Sequence, residues 1–151
     1  MRSVPSLHAV KPANILLVDD NAHGILARRT VLEEFGYHVT SASSGREALQ
    51  LLDQHQFDLI VTDYRMPGMD GVALIGELRA RDFQNPIVLL SGFLNHLGLT
   101  EQTTRADLLI QKSANETDQL VRAVKRLLAV PKKPPAPQGS RPAKKSNATK
   151  A

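Results

Sequence analysis

Three carboxylates, one hydroxyl and one ammonium stand at matching places along this chain, each just beyond a short apolar run. Asp19 and Asp20 follow "NILLV" (14–18), Asp63 follows "DLIVT" (58–62), Ser91 follows "PIVLL" (86–90) and Lys112 follows "DLLIQ" (107–111). A buried strand end is a costly place for an unpaired charge. Three carboxylates held together repel, and without relief at least one takes up a proton. A hard divalent cation gives that relief, and an oxygen donor set with neither Cys nor a His pair favours Mg2+. A cation beside Asp63 neutralises an incoming phosphoryl group and leaves one Asp63 oxygen to attack phosphorus, giving an aspartyl phosphate. Lys112 can hold a phosphoryl oxygen as a point charge, and Ser91 can donate to another. The set reads as machinery for phosphoryl transfer to Asp63.

These residues meet only if the elements between them bring the strand ends together. Residues 22–35 read as a helix stopped by Gly36, and "YHVTSA" (37–42) as a strand exposed on one side, at an edge. "SGRE" (44–47) matches a capping box, opening a helix expected to present Ala48, Leu51, Leu52 and His55 on one face. A third helix is expected from Asp70 to Arg81, with Leu74, Ile75 and Leu78 inward, and a last one over 115–129, where Leu120, Val121, Val124, Leu127 and Leu128 keep the three-four spacing. Residues 93–105, interrupted by Gly98 and rich in Thr, predict only a short or mobile helix. Strands alternating with helices imply an α/β fold with a parallel sheet, and strands buried on both faces account for the unbroken apolar runs. In such folds the working site lies beyond the C-terminal strand ends.

The 151 residues fit one domain, and 42% hydrophobic content with 4% aromatics predicts an aliphatic core. The chain has no Cys, which excludes disulfides, a thiol nucleophile and a Cys-based zinc site. No apolar stretch approaches the ~20 residues of a membrane span, and the N-terminus lacks a signal-type apolar region, so a cytoplasmic location is expected. The net charge of +4 is unevenly spread: residues 1–130 carry 13 basic and 15 acidic residues, while 131–151 carry six basic residues and no acid. Residues 1–13 read as an irregular arm, and 130–151 as a disordered basic tail rich in Pro, Lys and Ala. The tail reads as a solubilising segment or, alternatively, an electrostatic arm for nucleic acid or anionic membrane; without aromatics for stacking any nucleic-acid contact would rest on charge alone, and no sequence-specific binding is expected.

"LLVDDN" (16–21), "TDYRMPGMDG" (62–71), "LLSG" (89–92) and Lys112 together resemble the receiver domain of two-component response regulators, over about residues 14–129. The middle segment fits the pattern D-x-x-M-P-x-M-D-G at every fixed position. The resemblance implies a doubly wound, flavodoxin-like, five-stranded parallel sheet of order 2-1-3-4-5. It implies that Asp63 is the phospho-acceptor, that Asp20, Asp63 and the backbone carbonyl of Arg65 bind Mg2+ directly, and that Asp19 does so through water. Ser91 would contact the phosphoryl group and Lys112 would pair with it. The donor would be a phosphohistidine on a sensor histidine kinase or a phosphotransfer protein. The chain would be a stand-alone receiver acting by protein–protein contact or phosphorelay. It would be no enzyme beyond accepting a phosphoryl group and losing it slowly. Three positions depart from the pattern. Leu109 stands where the family has an aromatic, Ser113 where it has a cis proline, and Gly92 where it has Ala. A non-proline cis bond costs ~3 kcal/mol, so the Lys112–Ser113 bond is expected to be trans.

Plainer roles compete for several of these residues. Asp19 or Asp20 alone would suit a helix N-cap, as Asp70 does, and Ser113 with Glu116 matches a second capping box. Met66 and Pro67 read as turn-shaping, Tyr64 as a neighbour of the site, and Arg65 as either a tuning group or a solvated cation. The five His residues lack metal-ligand spacing. A receiver fold that binds a partner whatever its phosphorylation state is the main alternative, prompted by Leu109 and Ser113. An aspartyl-intermediate phosphatase of the haloacid-dehalogenase kind would need D-x-D after the first strand, where this chain has Asp19-Asp20-Asn21. A flavodoxin-like flavin site would want hydroxyls there rather than carboxylates.

Overall fold

The computed structural model describes residues 11–92 and 94–129. Five strands alternate with helices: β1 (Asn14–Val18), α1 (Ala22–Glu34), β2 (His38–Ala42), α2 (Gly45–Leu52), β3 (Leu59–Asp63), α3 (Gly71–Ala80), β4 (Ile87–Ser91), α4 (Leu94–Leu97), α5 (Glu101–Thr104), β5 (Leu108–Gln111) and α6 (Glu116–Ala129). The strands form one parallel sheet of order β2-β1-β3-β4-β5, so β2 is an edge, as its half-exposed pattern implies. The expected arm (1–13) falls mostly, and the expected tail (130–151) wholly, outside the described residues.

Strand side chains alternate between faces, and the two sets feed two cores. Leu16, Val18, Ile60 and Leu89 face α2 and α3 and pack with Ala48, Leu49, Leu74, Ile75 and Leu78. Ile15, Leu17, Val61, Leu90 and Ile110 face the other way, onto Leu32 of α1 and Leu120, Val121 and Val124 of α6. The doubly covered sheet is why all five residues of β3 and of β4 are buried.

Two helix starts are set by the side chains that the spacing marks. Ser44 Oγ accepts from the Glu47 N–H at 3.1 Å, and Asp70 Oδ1 from the Ala73 N–H at 2.8 Å. Glu47 reaches back to Ser43, accepting from its N–H and hydroxyl at 2.7 and 2.9 Å, so the box closes one residue early. Leu49 rather than His55 turns to the core, because α2 ends at Leu52 and leaves His55 exposed. Within 93–105 there are two four-residue helices instead of one. The threonines that disfavour a helix interior act as caps: Thr100 and Thr103 exchange side-chain and backbone hydrogen bonds at 3.0 Å. The second expected capping box does not form. Ser113 Oγ accepts from Asn115 N–H at 3.2 Å, while the Glu116 carboxylate turns away to Arg28. Among the described residues no peptide bond is cis, Lys112–Ser113 included.

Candidate functional site

The register places the reactive groups on one rim. Val18 lies opposite Thr62, Asp63 opposite Leu90, and Ser91 opposite Gln111. Asp19, Asp63 and Lys112 therefore emerge at or just past neighbouring strand ends. The rim is fixed by backbone bonds between adjacent strand ends: Asp19 N–H donates to Ala42 O at 3.1 Å, Tyr64 N–H to Leu90 O at 2.8 Å, and Lys112 N–H to Ser91 O at 2.9 Å.

Neither Asp19 nor Asp20 caps α1. Asn21 does, accepting from Gly24 N–H at 3.0 Å, which leaves both acids for other work. Asp19 is 1% exposed and Asp63 4% exposed, while Asp20 is open to solvent. Each offers a carboxylate oxygen, and those oxygens lie within 4.8 Å of one another. Lys112 Nζ meets Asp63 Oδ1 at 2.5 Å. Asp63 Oδ1 is otherwise a buried oxygen with no regular hydrogen-bond donor among the described residues. This all-oxygen, acid-rich set fits a hard divalent cation. Asp19, Asp20, Asp63, Lys112 and Arg65 line one recess of about 620 Å³. Ser91 closes β4 at 2% exposure, one residue past Asp63's register partner, and does not line that recess.

Burial pushes the Asp63 carboxyl above its ordinary value. Lys112 pulls the other way without cancelling it, and the neighbouring Asp19 charge adds to the rise.

The loop after Asp63 is drawn in tightly. Met66 is buried in the core, so it anchors the loop rather than merely shaping a turn. Gly68, at φ +79°, takes the left-handed position of the Pro67–Gly68 turn. Gly71 N–H donates to Tyr64 O at 2.7 Å, and a Cβ there would stand 2.8 Å from Leu89 Cδ1 and 2.9 Å from Tyr64 Cα. Only glycine lets α3 start this close to β3. Leu109, partly buried, packs against the core on the α2 and α3 side.

One participant escapes the strand-end reading. Arg28 of α1 is 5% exposed and reaches the same recess, pairing with Asp19 Oδ2 at 2.5 Å and, through Nε, with Glu116 Oε2. Burial works against its charge, but hydrogen bonds to Glu116 and Asp19 outweigh it and raise its pKa. The signal available in the sequence is the spacing Ile25–Arg28–Leu32, which puts a guanidinium on the same helix face as two apolar residues. Its partner Glu116 lies 88 residues away, beyond the reach of any local pattern.

Comparison with known proteins agrees with this geometry. The model of the response regulator receiver domain family matches residues 15–125. The transcriptional regulatory protein ZraR of Escherichia coli K12 is 35% identical over 80 residues, 53% of this chain and 18% of its own length. The chain thus spans less than a fifth of that relative. Response regulator TrrA of Thermotoga maritima, solved in complex with Mg2+ and BeF, is 33% identical with a TM-score of 0.68, covering 76% of this chain and 98% of that one. The receiver domain of a sensor histidine kinase from Pseudomonas aeruginosa PAO1, solved with a magnesium ion in its active-site cleft, is 25% identical with a TM-score of 0.71, covering 79% and 99%. Fold, rim and family match together place this chain in the response regulator receiver domain family, the signalling domain of two-component systems.

Proposed function

We propose that Asp63 is the phospho-acceptor of this receiver. The donor is a phosphohistidine on a sensor histidine kinase or a phosphotransfer protein. A bond forms from an Asp63 carboxylate oxygen to phosphorus as the P–N bond breaks, its electron pair returning to the imidazole. Asp20, Asp63 and the Arg65 carbonyl would hold Mg2+, and Asp19 would act on it through water. Bound there, the ion neutralises charge on the transferring group. Lys112 holds a phosphoryl oxygen, and the Ser91 hydroxyl donates to another. The observation that carries this reading is the ion pair of Lys112 Nζ with buried Asp63 Oδ1, in a recess that also holds Asp19 and Asp20. The magnesium in two similar solved receivers supports the choice of ion.

The receiver acts in the cytoplasm, by contact with a downstream protein or by phosphorelay, and loses its phosphoryl group slowly. A phosphorylation-independent adaptor is the second reading. Leu109, partly buried against the core where the family has an aromatic, favours it. Intact mass spectra after incubation with a small-molecule phosphodonor and Mg2+ test the acceptor. One added phosphoryl group, absent from Asp63→Asn and absent without Mg2+, is the expected result. No gain in a folded protein that binds Mg2+ overturns it and favours the adaptor.

A further inference from the structure

Arg28 has no part in the transfer chemistry just described, yet it is the most deeply set cation at the recess: its side chain is 6% exposed, against 33% for Lys112. Its guanidinium occupies Asp19 Oδ2, while Asn21 N–H donates to Asp19 Oδ1 at 2.9 Å. Both oxygens of this carboxylate are therefore engaged by the protein. Space for the pair comes from Gly24, where a Cβ would stand 2.8 Å from Asp19 Oδ2 and 2.9 Å from Arg28 Nη1. On its far side Arg28 is held by Glu116 at the start of α6. A positive charge fixed on one of three clustered carboxylates opposes any second cation drawn to that cluster.

We infer that Arg28 is a positioning residue, a built-in counter-ion that holds Asp19 back and weakens the affinity of the recess for a divalent cation. The inference rests on the reading of the recess as a cation site. Arg28 answers part of the acid repulsion permanently, so the recess tolerates its three carboxylates without an ion. A divalent cation must share Asp19 with the guanidinium. Glu116 sets the strength of this restraint, because it divides the guanidinium between two acids.

Calorimetric titration of the full chain with MgCl2 tests this, with circular dichroism as the check on folding. Arg28→Met is expected to tighten Mg2+ binding by roughly tenfold. That variant leaves two poorly solvated acids facing each other, so Arg28→Met/Glu116→Gln is measured beside it. The double variant removes one charge of each sign. It is expected to bind Mg2+ more tightly than wild type, by a smaller factor, because Asp19 is released while net charge is unchanged. Arg29→Met is the control for bulk charge. Arg29 lies on the same helix but pairs with Glu33 at the surface, and its loss is expected to leave the affinity unchanged. A purely structural staple predicts the opposite sign, weaker or unchanged binding in folded Arg28 variants, and that result overturns the inference while wild-type binding stands. If neither wild type nor either variant takes up Mg2+, the cation-site reading falls and the inference with it.

Discussion

Asp63 carries two opposed demands, burial that disfavours its charge and the proposed acceptor chemistry, which needs that charge. Because its folded-state pKa is raised, the native protein binds this proton more tightly than the unfolded chain does. The group's favourable contribution is thus present below the ordinary carboxylate range and is lost as pH rises through the raised value. In chelator, Asp63→Asn is expected to denature at higher urea than wild type at neutral pH. The gap should close as pH falls below the ordinary Asp range, and urea midpoints across that range check it. Asp63, the acid pair and Lys112 were legible in the sequence because each follows an apolar run. The competing capping role for Asp19 and Asp20 was settled only by structure, since Asn21 supplies the cap. Arg28 stayed hidden because one inward arginine among apolar positions has no meaning until Glu116 is placed beside it.

Elements were readable wherever one local rule decided them. The run "NILLV" coincides with β1, and β3, β4 and β5 lie within a residue of their apolar runs. Reading failed where a side chain had a distant alternative, as with Glu116, or where a residue type has two roles, as with the capping threonines of α5. Cap and core differ in what they contribute. Ser44→Ala removes one exposed acceptor and is expected to cost about 1 kcal/mol. Leu74→Ala opens a cavity beneath α3 at a fully buried site and is expected to cost roughly 2–5 kcal/mol. Chemical denaturation of the two variants side by side checks the ranking.

At the scale of the whole molecule, charge and function separate along the chain. Every group assigned to the recess lies between Asp19 and Glu116, whereas six basic residues and no acid lie in 131–151. Removing 131–151 is expected to turn a net +4 into a net −2 while leaving phosphoryl uptake by Asp63 unchanged. The intact-mass assay on the shortened chain checks this. Among the described residues no helix is long and apolar enough to cross a membrane.

The Arg28 clasp also bears on the order in which charges appear during synthesis. Arg28 lies nine residues after Asp19, so this pair can close once the first strand and helix have left the ribosome. Asp63 emerges later, and its ammonium partner lies two strands further on, at the end of β5. A nascent chain paused before β5 thus carries one acid already answered and one not, and Asp63 gains its ion pair only once Lys112 has been made.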